Sequence, residues 1–138
     1  MRGIIFPSTT GALCAVLRAG LTASAVPHAI GVTVQPKLPV TKTARMVTVR
    51  DDSGPDDGSQ TRRRYGFNVW ADTPVDAENL ALLCMAILRN CADGQPITVT
   101  DSFSGPFDVP TETPHNVGGK NLTNYFFACR ITARGTNF

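Results

Sequence analysis

Hydrophobic residues recur along the chain first at helical and then at strand spacing. Leu13, Val16, Leu17 and Leu21 fall on one helical face, Ser8 or Thr9 can cap that helix, and Gly20 lies near its end. Pro27, Pro36 and Pro39 then punctuate an extended linker that includes "GVTV". Residues 46–50 form a short alternating strand, and residues 51–61 carry the turn residues Gly54, Pro55 and Gly58. Residues 62–71 predict a longer strand, with Arg63, Tyr65, Phe67 and Val69 on one face and Asn68 and Trp70 on the other.

The second helix has the clearest start. Thr73 suits the N-cap, Pro74 the first helical position, and Asp76 and Glu78 the positive end of the helix dipole. It runs to about Cys91, with Gly94 as a stop signal. Its segment "LALLCMAIL", residues 80–88, is apolar all the way round, so Leu80, Leu83, Cys84, Ile87 and Leu88 need cover on several sides. Either the first helix or a second subunit can supply what the sheet does not. Residues 97–103 predict a further strand. Residues 104–120, rich in proline and glycine, predict a long loop. Residues 125–134, "YFFACRITAR", predict a closing strand with Tyr125, Phe127, Cys129 and Ile131 on one face and Arg130, Thr132 and Arg134 on the other. The expectation is a single α+β domain over residues 1–138: a mostly antiparallel four-stranded sheet of two hairpins, two main helices on one face, and projecting loops at 51–61 and 104–122.

A chain of 138 residues with 42% hydrophobic and 17% charged residues has the composition of one globular domain. A net charge of +2 does not by itself imply nucleic-acid binding. The first 25 residues have an arginine and a small-residue "ASA" like a secretory signal, but Pro7, Gly11 and Arg18 interrupt the apolar stretch. No apolar run approaches the roughly 20 residues needed to span a bilayer, so no membrane partner is expected. Cys84 and Cys91 fall about 10 Å apart on one helix, beyond disulfide reach, and all four thiols are expected buried and reduced.

The charged stretch after residue 50 invites chemical readings. Asp51, Asp52, Asp56 and Asp57 do not fit a calcium loop: counted from Asp51 or Asp52, the glutamate position falls on Arg62 or Arg63. "VGGK" at residues 117–120 lacks the earlier glycine and the following Ser or Thr of a phosphate-binding loop. No G-x-S-x-G occurs, and neither His28 nor His115 has a cysteine beside it. No catalytic residue, metal site or cofactor is therefore assigned. Arg62 and Arg64 should point to one sheet face and Arg63 to the other. They are either a solvated strand start opposed by the aspartates, or the base of a charged arm that touches a partner or nucleic acid.

Taken together, "FPSTTGALCAVLRAGL", the strand "RMVTVR", Trp70-Ala71 running into a helix with Thr73, Ala77 and Leu80 at set spacing, and the closing "YFFACRITARGT" with Arg134-Gly135 resemble the tail terminator (tail completion) proteins of long-tailed bacteriophages, especially those of actinobacteria. The resemblance covers nearly the whole chain and consists of residue-class patterns. The 104–120 loop is longer and more proline-rich than the family pattern. The resemblance implies a non-enzymatic virion protein. It would form a homohexameric ring on the head-proximal end of the tail tube, stop tube growth, and meet the head's connector or stopper protein. Genomic DNA would pass through the lumen without sequence-specific binding. Asp51, Asp52, Asp56 and Asp57 would then sit in a docking loop, and Arg62, Arg63 and Arg64 would face the lumen or a partner. A connector or other neck protein is the near alternative. A nucleic-acid-binding module or metal-dependent enzyme is the more remote one.

Overall fold

The computed structural model describes residues 4–5, 9–39, 42–52, 60–92, 97–110, 115–134 and 136–137. In chain order these hold β1 (Ile4–Ile5), α1 (Thr9–Ala23), a 3-10 turn (Pro27–Ala29), β2 (Thr33–Gln35), β3 (Met46–Asp51), β4 (Gln60–Ala71), α2 (Pro74–Arg89), β5 (Ile97–Asp108), β6 (Asn116–Val117), β7 (Lys120–Asn121), β8 (Thr123–Arg134) and β9 (Thr136–Asn137).

The main sheet has five strands in the order β2-β3-β4-β8-β5. The expected four are present, and the pairs β3–β4, β4–β8 and β8–β5 are antiparallel. The fifth is β2, which pairs parallel to β3 with Val34 beside Val47. It lies in what the proline spacing marks as linker. Three residues are too few to show alternation, and the strand is held from outside itself. Val34 is buried, its carbonyl accepts two hydrogen bonds from the Arg18 guanidinium at 3.0 and 2.6 Å, and Thr33 N–H donates to the Arg45 carbonyl. The expected pair of hairpins is present as β3–β4 and β5–β8, joined through the β4–β8 pair. β4 and β5 both run antiparallel to β8 and are therefore parallel to each other, with α2 as the crossover and β8 inserted between them.

Both helices pack on one face of the sheet, as expected. Leu13, Leu17 and Leu21 of α1 and Leu80, Cys84 and Leu88 of α2 share a core with Val47, Val49, Tyr65, Phe67, Val69, Phe127, Cys129 and Ile131. Burying side chains such as Leu80 and Leu88 contributes about 1.5–3 kcal/mol each. Phe67 and Phe127 are direct cross-strand partners, and their rings stack at 4.6 Å with 6° between planes. The Tyr65 hydroxyl reaches Thr9 and Thr10 at the start of α1, tying helix to sheet, and burial raises its pKa above the ordinary value.

α2 starts as its sequence demands. Thr73 Oγ1 accepts from Asp76 N–H at 3.1 Å, and Pro74 begins the helix. The Asp76 carboxylate pairs with Arg45 at 2.9 Å. α1 covers a second side of α2, and the two cross closely at Gly20, where an added Cβ would lie 2.7 Å from Ile87 Cγ2. Leu83 and Ile87 are partly buried against the core, whereas Val75 and Leu82 stay 70% and 44% exposed, so one stripe of α2 has no cover among the described residues.

Within the loop expected at 104–122, the described residues include strands. β5 runs on to Asp108 past register shifts, with Gly105 at φ +100° and its Cα so close to β8 that a Cβ would meet the Phe126 carbonyl at 2.8 Å. Beyond it, β6 and β7 form a small hairpin. "VGGK" supplies its turn: Gly118 and Gly119 both have positive φ, as a type I′ turn requires. Leu122 packs with Met46 and Trp70, with Val117 against them, which anchors the base of this hairpin to the sheet. Of the loop expected at 51–61, Asp51 belongs to β3 and Gln60 and Thr61 to β4. Asp56 and Asp57 lie outside the described residues.

No disulfide links the four cysteines. Cys14, Cys84 and Cys129 are buried, and Cys91 is only partly so. Desolvation pushes the Cys84 and Cys129 thiols up to about 12.

Candidate functional site

The sheet face turned away from the helices carries the densest charge. Registered pairs on an antiparallel sheet share a face, so the side chains can be placed in rows. Arg50 lies opposite Gly66, and Gly66 opposite Ala128, which pairs with Ser104. The next row is Arg64, Arg130 and Asp101, followed by Arg62, Thr132 and Val99. Arg134 closes the face beside Gln60. Five arginines thus share one surface, whereas the sequence run pointed to three.

Their partners are unequal. Arg130 binds Asp101 through two parallel hydrogen bonds, Nε to Oδ1 at 2.9 Å and Nη2 to Oδ2 at 2.8 Å. This contact lowers the Asp101 pKa and raises that of Arg130. Arg50 Nε donates to Asp52 Oδ1 at 2.6 Å, which raises the Arg50 pKa, and its guanidinium stands 6.0 Å from the centroid of the Phe126 ring. Arg64 Nη2 donates to Ser104 Oγ at 2.8 Å. Arg62 and Arg134 are exposed, and among the described residues neither forms an ion pair.

The structure separates the residues grouped from sequence. Arg62 and Arg64 share the outer face with Asp52, whose carboxylate lies against Gly66. Arg63 is on the helix side, where its Nη1 pairs with Asp51 Oδ2 at 3.4 Å. Asp51 and Asp52 therefore serve opposite faces as counter-charges, Asp51 to Arg63 across the β3–β4 pair and Asp52 to Arg50 of β3. Arg50, Arg130 and Arg134 joined the site only through register. The signal available was the alternation R-x-T-x-R at 130–134, which places Arg130 and Arg134 on one face without showing which strand lies beside it.

No group of three His, Cys, Asp or Glu side chains comes together to hold a metal ion among the described residues. A concavity of about 480 Å³ lies between the end of α1 and the Ile30–Val32 segment, lined by Arg18, Leu21, Ala29 and Ile30. Arg18 there is committed to the Val34 carbonyl. No helix among the described residues is long and apolar enough to cross a membrane.

No protein-family model matches the chain, and no curated protein matches it in sequence. Its fold has a counterpart. A chain in the solved structure "Virion of native gene transfer agent (GTA) particle" superposes with a TM-score of 0.54 at 15% identity, covering 94% of this chain and 100% of that one. At that identity the likeness is one of fold.

Proposed function

We propose that this protein is a non-enzymatic structural component of a phage-like virion, and specifically a tail terminator. It caps the head-proximal end of the tail tube as a homohexameric ring, halts tube growth, and presents a surface to the head's connector or stopper, with DNA passing through the ring. The observation that carries the reading is a likeness of fold, over nearly the whole chain, to a component of a virion particle. The resemblance of residue patterns to tail terminators, from the first helix to the closing strand, narrows it to that role. A neighbouring neck protein draws on the same fold likeness and differs in what it binds.

Ring formation needs a surface that meets a different surface on the next copy. The uncovered stripe of α2 suits one side of such a contact. Val75 and Leu82 lie two helical turns apart on it, and exposed Ile30 lies near, because Arg45 bonds both the Ile30 carbonyl and Asp76 in the first turn of α2. These apolar groups gain from burial against a neighbour.

Native mass spectrometry over a concentration series, alone and with the cognate tube protein, tests the reading. Closed six-fold rings, lost in Val75→Asp/Leu82→Asp while the fold persists, are expected. A protein that stays monomeric under both conditions overturns it.

A further inference from the structure

The outer sheet face has a composition that core packing does not explain. Arg64 and Arg130 stand directly opposite on neighbouring strands, an arrangement that costs stability. Asp101 and Ser104 offset that cost. Arg62 and Arg134 extend the same field without an ion pair among the described residues. Among the described residues, five arginines against Asp52 and Asp101 give this face a surplus of three positive charges, whereas the whole chain carries +2. Positive charge is thus concentrated on the described part of this face.

We infer that this face, built from Arg50, Arg62, Arg64, Arg130 and Arg134, contacts the phosphate backbone of double-stranded nucleic acid. The inference rests on the ring reading, in which one surface of each subunit borders the passing DNA, and it assigns that surface to the sheet rather than to the helices. Geometry supports a backbone contact. Neighbouring strands lie about 4.8 Å apart and alternate residues on a strand about 6.8 Å, so the arginines form a grid roughly 20 Å long by 10 Å wide. Such a grid matches a row of phosphates rather than one anion. Between the arginines stand Ala128 and Thr132, which are small and leave the guanidinium groups proud of the surface, whereas Gly66 lies under the Asp52 carboxylate and the Phe126 ring. Phe126 and exposed Phe107 lie on the same face at one end of the grid, where the Phe126 ring stands 6.0 Å from the Arg50 guanidinium, and not among Arg62, Arg64, Arg130 and Arg134. The paired Asp52 and Asp101 moderate the field and keep contacts weak and salt-sensitive, as a surface past which DNA must move requires.

The test uses the full chain and a 30-base-pair duplex of arbitrary sequence, with affinity followed by fluorescence anisotropy from low to moderate salt. Wild type should bind without sequence preference, with affinity falling steeply as salt rises. Arg62→Glu/Arg134→Glu, both exposed and outside the core, should lose about tenfold or more in affinity and flatten the salt slope by about two. Arg63→Glu, on the opposite face, should change little. Circular dichroism melts identical to wild type would show that the double variant folds. Equal duplex affinity in wild type and the double variant overturns the inference. So does binding of poly-glutamate but not duplex through these arginines, which would assign the face to an acidic protein. The two readings fail separately. A variant that caps tubes while duplex binding is unaffected removes the face assignment alone. Duplex binding lost with the arginines, by a wild-type protein that never caps tubes, removes the terminator reading alone.

Discussion

The close approach of the two helices can be tested quantitatively. At Gly20 an added Cβ would lie 2.7, 2.8 and 2.9 Å from three side-chain atoms of Ile87. Gly20→Ala should gain about 1 kcal/mol of helix propensity and lose about 1–3 kcal/mol to overpacking, a net destabilisation of about 0–2 kcal/mol. Ile87→Ala deletes all three opposing atoms. Because Ile87 is only partly buried, its cost belongs at the low end for a large-to-small change, about 2 kcal/mol. Combined, the methyl added at position 20 occupies space vacated by Ile87, and the propensity gain is realised without a clash. The double variant should then be destabilised by only about 1 kcal/mol, against about 2–4 kcal/mol from addition, a coupling of about 1–3 kcal/mol. Urea unfolding of the four proteins measures it. Additivity within about 0.5 kcal/mol would refute the crossing of α1 and α2 at this point.

Tyr65→Phe should cost about 1 kcal/mol in the same assay, because Thr9 and Thr10 lose their hydroxyl partner at the start of α1. Thr73→Ala should cost about 0.5–2 kcal/mol by removing the acceptor for Asp76 N–H. Burial raises the Cys84 and Cys129 thiols from 9.0 to about 12, so their contribution to stability is complete below about pH 9 and is lost as pH climbs through that window. Unfolding midpoints should therefore fall with rising pH in that range and fall less in Cys84→Ala, and equal slopes in both proteins would refute it. Deleting residues 54–58 should leave the melting temperature near wild type yet impair tube capping, and a deletion variant that caps normally would remove that loop from docking.

Much of the layered fold was legible because its elements announce themselves locally. Thr73-Pro74 fixes where α2 begins, and the alternation at Tyr65, Phe67 and Val69 and at Phe127, Cys129 and Ile131 fixes which faces of β4 and β8 meet the helices. What escaped was non-local. β2 is three residues long and exists through Arg18, Arg45 and β3 rather than through its own pattern. Pro106 and Gly105 within β5 imitate a loop, but an edge strand next to β8 tolerates both through bulges and a positive φ. "VGGK" had the composition of two different devices, and only the backbone shows that it is a hairpin turn. The candidate site followed the same division. Alternation alone put Arg62 and Arg64 on one face and Arg63 on the other. Adding Arg50, Arg130 and Arg134 required strand order and register, which no single strand's sequence contains.

The central claim concerns the end of a tail tube. The decisive measurement is the length distribution of tubes grown from the cognate tube protein with and without this protein, read by negative-stain imaging with the tube ends classified. Tubes arrested in growth, each with a six-fold ring at one end only, are the predicted result. Unchanged lengths and bare ends at saturating protein would contradict the account.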